Sequence, residues 1–98
     1  MPTPIDQSTN RAIITVLGSD RSGIVAAVAG VLAADDVNIL DISQTILQGI
    51  FTMTMLVDVE GAKVEFSELQ SKLETLSHDL GVQITMQREE VFRYMYRL

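Results

Sequence analysis

Ile13-Ile14-Thr15-Val16-Leu17-Gly18-Ser19-Asp20-Arg21-Ser22-Gly23-Ile24-Val25 decides the reading of this chain. An apolar, largely β-branched run stops at Gly18. Four polar residues follow, then Gly23, then apolar residues at helical spacing. That order predicts a strand, a tight turn and the first turn of a helix. The first turn of a helix presents unpaired N–H groups and a partial positive charge, so it suits a carboxylate or phosphate. From spacing alone, a plain strand-to-helix connection is the favoured reading of the turn, since glycine turns before helices are common. The full phosphate-loop pattern is absent, and no lysine follows Gly23.

Working outward, residues 12–17 are apolar on both alternating faces, as expected of a central strand covered on both sides. Ile24, Val25, Val28, Val31 and Leu32 form one stripe of a helix over 24–34, with Asp20 or Ser22 as its cap. Gly30 in mid-helix predicts a close helix–sheet contact, and Asp35-Asp36 predict the helix end as a solvated pair. Residues 37–47 read as a second strand, with Asn38, Leu40, Ile42, Gln44 and Ile46 on one face. Ile39, Asp41, Ser43, Thr45 and Leu47 fall on the other. Gln48-Gly49 marks a hairpin turn. The third strand, 50–59, puts Phe51, Met53, Met55, Val57 and Val59 on one face. Phe66, Leu69, Leu73, Leu76 and Leu80 recur at steps of three and four in a second helix, which Gly81 stops. Residues 82–88 are a fourth strand, with Val82, Ile84 and Met86 inward. Residues 89–98 make a short amphipathic helix, led by Glu89-Glu90 as a solvated pair.

The order β-α-β-β-α-β is the ferredoxin-like arrangement: an α+β fold with a four-stranded antiparallel sheet and two helices on one face. The short C-terminal helix is added to it. Nothing in the chain is assigned to the other face, although the first strand is apolar there too, so a partner subunit is the expected cover. The chain divides into an N-terminal arm, Met1 to Asn10, and one domain over residues 11–98, whose tail is 89–98.

Ninety-eight residues suit one small domain. Such a domain buries only about 60–65% of its unfolded surface, so oligomerisation is the expected source of added stability. No cysteine is present, which removes disulfides, thiolate metal sites and cysteine nucleophiles. A net charge of −6 argues against nucleic acid and against an anionic membrane surface. No apolar run approaches the roughly 20 residues of a membrane span, and the N-terminus has no signal-peptide pattern, so the expected location is the cytoplasm. Met53, Met55 and Met86 read as core. His78, the one histidine, falls on the polar side of the second helix as a surface residue. It has no partners for a metal site or a catalytic triad. Neither metal, cofactor nor enzymatic activity is expected.

Asn38 and Asp41 lie at the start of the second strand. A subunit interface can bring that start close to the first turn. The strand would then offer acceptors to an ammonium group, while the helix start offers donors to a carboxylate, a pairing suited to a zwitterionic amino acid. Asn38 as a turn residue and Asp41 as a solvated strand residue explain the pair equally well.

Ala12-Ile13-Ile14-Thr15-Val16-Leu17-Gly18, Asp20-Arg21-Ser22-Gly23-Ile24-Val25, Val37-Asn38-Ile39 through Thr45, and Phe51-Thr52-Met53 together resemble an ACT domain. The likeness spans residues 11–98. It is narrowest to the stand-alone bacterial ACT proteins related to the ACT domains of the glycine-cleavage repressor, whose C-terminus the Phe92, Met95-Tyr96 pattern also resembles. The resemblance implies dimers or higher oligomers and, in many ACT domains, an amino-acid effector at the interface. By position it implies ligand-facing residues Asp20, Ser22, Gly23 and Ile24 from the turn, with Asn38, Ile39 and Asp41 from the second strand. ACT domains usually report to an attached enzyme or DNA-binding domain. These 98 residues carry neither, which leaves the output of sensing open, and the expected regulated partner is an unknown protein. The expected function is a small regulatory protein binding a small ligand, an amino acid, at a homodimer or higher-oligomer interface. The alternative is a ligand-free interaction or assembly module.

Overall fold

β1 spans Arg11–Ser19 and pairs antiparallel on both sides, with β3 (Ile50–Asp58) and with β4 (Gln83–Arg88). β2 (Asn38–Leu47) pairs with the free side of β3, giving the strand order β2-β3-β1-β4. Two helices complete the βαββαβ core, α1 at Ile24–Ala34 and α2 at Phe66–Leu80. A third, α3 at Glu89–Met95, follows β4 directly. The computed structural model describes residues 10–19 and 23–95, with only the backbone at Met95. The arm up to Thr9, the turn residues Asp20 to Ser22 and the end of the tail lie outside the described residues.

Alternation along β1 builds the core. Ala12, Ile14 and Val16 are fully buried under the helices, as are Met53, Met55 and Val57 on β3. α1 contributes Ile24, Val28 and Leu32, one residue per turn on one side. α2 contributes Leu69 and Leu73, with Phe66, Leu76 and Leu80 packed at its margin. Met86 closes the core from β4. Gly81 caps α2 in the left-handed region at φ 71°, and its N–H donates to the Ser77 carbonyl at 2.9 Å. Gln48 and Gly49 both have positive φ, 51° and 84°, the conformation of a two-residue hairpin turn whose twist matches its strands.

Several expectations are corrected. β1 does not stop at Gly18. It runs through Gly18 to Ser19, and a Cβ at Gly18 would meet Val82 Cγ1 at 2.6 Å, so glycine serves there to let the chain after α2 approach. Gly30, by contrast, is exposed with no atom within 4 Å of where a Cβ would stand; no close contact explains it. A bulge between Ile39 and Asp41 shifts the β2 register. Ile39 therefore pairs with buried Val57 on the helix side, while Asn38 and Asp41 both point to the open side, opposite Asp58 and Leu56. The two-faced alternation read from residues 37–47 breaks at Leu40, the extra residue.

Two acids expected in water are held. Asp35 is buried at the end of α1, and Lys72 of α2 donates to it at 2.8 Å. Glu89 is only 1% exposed, and guanidinium groups reach it from two directions. Arg11 donates through Nε and Nη2, both at 2.9 Å, and Arg93 through Nε at 3.0 Å and Nη2 at 2.8 Å. Arg11 projects to the open face of the sheet, one residue out of phase with buried Ala12. The Arg11–Glu89 grip therefore fixes the start of α3 at that end of the open face.

Candidate functional site

The strand register sets where each candidate residue stands. β1 delivers the chain to Ser19, which pairs with Ile50 at one end of the sheet. Gly23 follows the turn and is the N-cap of α1, in the left-handed region at φ 90°, a conformation that disfavours any residue with a Cβ. Glycine has no side chain to offer the helix, and the first helical bond runs from the Ala27 N–H to the Gly23 carbonyl at 2.9 Å. Ile24 is buried in the core with 1% exposure, so it anchors the helix start and does not line an open site. Asp20 and Ser22, the other residues expected in the turn, lie outside the described residues.

β2 runs parallel to β1 across β3, so its start stands at the opposite end of the sheet. Asn38 pairs with Asp58, and Asp58 pairs with Arg11, the first residue of β1. Asn38 and Asp41 are exposed on the open face. Asp41 Oδ1 accepts from the Ile42 N–H at 2.8 Å, which fixes the carboxylate beside its own backbone. Ile39 faces the other way, toward the helices, and is half-buried. The structure thus brings Asn38 and Asp41 together and separates both from Gly23 by the length of the sheet. About nine strand residues lie between them, roughly 30 Å.

An open cleft adjoins the β2 start. It is about 350 Å³ and is lined by Asn10, Arg11, Leu40, Asp58 and Glu60. Its polar character comes from Arg11, two carboxylates and Asn10. The Asp58 carboxylate accepts from the Glu60 N–H at 2.9 Å, and the Arg11 guanidinium is held by Glu89. The hydrogen bond to Glu89 holds Arg11 above its ordinary pKa, and the reciprocal contact holds Glu89 below the usual carboxylate range. Arg11 was not singled out from the sequence. The signal was faint: one arginine opening a strand, with its acid partner at the far end of the chain. A larger cleft of about 720 Å³ lies between α2 and β4, where Gln70, Glu74, Ser77 and His78 line it. It holds none of the candidate residues. Among the described residues, no three His, Asp or Glu side chains are placed to hold a metal ion. No described helix is long and apolar enough to cross a membrane.

The antiparallel sheet with two helices on one side is a fold shared with solved ACT-domain structures. Residues 10–87 match the profile of the ACT domain, which ends before α3. A UPF0237 protein of Methanocaldococcus jannaschii is 49% identical over 89 residues, covering 91% of this chain and 99% of its own length. The solved structure of an ACT domain protein from Streptococcus pneumoniae is 44% identical, with a TM-score of 0.74, covering 88% of this chain and 97% of that one. A putative glycine cleavage system transcriptional repressor is 24% identical at a TM-score of 0.70 over 80% of this chain and 44% of its own, a likeness of fold. The chain is a member of the ACT domain family.

Proposed function

We propose that this protein is a small regulator that binds an amino acid across the interface of a homodimer or higher oligomer. One observation carries the reading: the two halves of the candidate site stand at opposite ends of the sheet within one chain. A two-fold axis that reverses strand direction brings the β2-start end of one copy's sheet to the turn end of another's. The α1 start then offers backbone donors to a carboxylate, and Asn38 and Asp41 offer acceptors to an ammonium group. Occupancy would couple to assembly, because the ligand binds only where two copies meet.

The test is a thermal-shift screen against the twenty amino acids. A ligand at 100 times its Kd adds about 2.7 kcal/mol. In a domain of this size that raises Tm by roughly 10–20 °C. Gly23→Val, which strains the left-handed N-cap, and Asn38→Ala should each abolish the shift while the fold survives. Retained response in both variants removes this site.

A second reading, a ligand-free assembly module, draws on the apolar surface left in water. Leu47, Ile50 and Tyr94 are exposed, as are Leu17 and Val91 in part. A flat amino-acid panel on a well-folded oligomer favours it.

A further inference from the structure

The sheet has two edges, β2 and β4, and they are finished differently. β2 is guarded. Its pairing carries the bulge between Ile39 and Asp41, and the Asp41 carboxylate accepts from the neighbouring Ile42 N–H at 2.8 Å. Bulges and charged side chains are what folded proteins use to stop a further strand from adding. β4 has neither over most of its length. Its register with β1 is unbroken, and it carries no proline and no charge before Arg88.

The direction of the β4 backbone is marked by one side chain. Gln70 of α2 donates to the Met86 carbonyl at 2.8 Å. A carbonyl in the ladder with β1 lies between two strands, so one met by α2 turns to the free edge. Direction alternates along an antiparallel pair, so Ile84, two residues back, turns its N–H and C=O the same way. Among the described residues no side chain serves either group.

Ile84 and Met86 line the cleft of about 720 Å³ between β4 and α2. Gln70, Glu74 and His78 form its other wall, four residues apart and therefore on one side of the helix. Glu74 is the one carboxylate of the lining, and among the described residues no cation pairs with it.

We infer that β4 and this wall of α2 take up an extended, basic segment of a partner protein, which adds as a fifth strand and sets a lysine or arginine against Glu74. The outward N–H and C=O of Ile84 supply the backbone pairing, as at other exposed sheet edges that receive a peptide. The Gln70 amide stands where a partner N–H would meet Met86. Alternate side chains of the added strand face the α2 wall, so one of them meets Glu74. The unpaired carboxylate selects a base there, and the net charge of −6 draws a cationic segment. Six residues of strand span about 20 Å, which sets the length of the segment at about six residues. The inference goes beyond the proposed amino-acid site and does not rest on it, since none of that site's residues lines this cleft. A flat amino-acid panel therefore leaves it standing, and its own failure leaves the amino-acid site standing.

The probe is a positional-scanning library of hexapeptides capped at both ends, read by fluorescence polarisation on the full chain. One position should select lysine or arginine. The consensus peptide should then slow hydrogen exchange at the Ile84 amide, followed by NMR. Of its two alternately N-methylated forms, one should keep binding and the other lose it, because an added strand pairs through alternate residues. Glu74→Lys, at an exposed helix position, should weaken binding about fivefold or more, with circular dichroism unchanged. A library that selects no base, or selects acids, overturns the proposal. So does equal binding by the two N-methylated forms, undiminished binding by Glu74→Lys, or protection of β2 amides in place of Ile84. Slow exchange at Ile84 before any peptide is added overturns it as well, since a second copy or the chain's own terminus then covers the edge.

Discussion

The two faces of the one sheet differ more than any two segments of the chain. Ile14 and Thr15 are neighbours on the same strand, paired to the same two partner strands. Ile14 is fully buried among methionines and helix side chains, whereas Thr15 stands in a row of hydroxyls with Ser43, Thr54 and Thr85. On the covered face, apolar area removed from water supplies the stability along β1 and β3, whose Ala12, Ile14, Val16, Met53, Met55 and Val57 are fully buried, while Ile42 and Ile46 of the β2 edge stay exposed on the same side. On the open face, Leu17 remains 43%, Ile50 52% and Leu47 69% exposed. Stability is generated on one face; the other leaves apolar side chains in water.

Substitution separates the two most sharply in the core. Met53→Ala should cost about 2–5 kcal/mol, through lost burial and the cavity left behind. Urea unfolding reads that loss as a lower midpoint at unchanged slope. A cost near zero would mean the covered face is not packed as described.

Gly18 lies on the same covered face, opposite Phe51. Gly18→Ala should destabilise by about 1–3 kcal/mol, the usual cost of overpacking, because its methyl meets Val82. Val82→Ala should recover much of that loss in the double variant. Additive losses in a double-mutant cycle would deny the contact.

Glu89 tests the join between the faces. Its carboxyl titrates below the usual carboxylate range because Arg11, and then Arg93, donate to the charged form. A depressed folded-state pKa contributes stability above the unfolded value, lost as pH falls through the folded one. Stability should therefore decline on the acid side, below the ordinary carboxylate range. Glu89→Gln should flatten that limb at a cost of about 1–3 kcal/mol at neutral pH. Identical acid limbs in the two proteins would mean that Glu89 carries none of the dependence.

The smallest effect belongs to the open face. Thr52→Val should change folding stability by no more than about 0.5 kcal/mol, as surface substitutions do. A loss comparable to that of Met53→Ala would erase the contrast between the faces.

Much of this arrangement is local in origin and therefore legible in order along the chain. The leucine spacing of α2, the glycine at its end and the Gln48-Gly49 hairpin each act over a few residues. Short-range sterics and hydrogen bonding dictate them. The alternation of β3 likewise named Met53 and Met55 as core, whereas β1, apolar on both faces, did not show which face the helices cover. The candidate site was legible only in part. Asn38 and Asp41 could be named, but the bulge at Leu40 that turns both to one face is a property of pairing with β3. The same holds for the acids. Asp35 and Glu89 read as solvated charges because their partners, Lys72 and Arg11, lie 37 and 78 residues away.

By itself the sequence determined the elements, their order and the stripes each would bury, since those follow from periodicity and turn chemistry within a few residues. Tertiary structure alone decided three things. The two halves of the site fall at opposite ends of one sheet, Glu89 is drawn out of water by Arg11, and four hydroxyls line up across four strands. Each depends on register between segments distant in the chain, where a shift of one residue would turn the side chains to the other face.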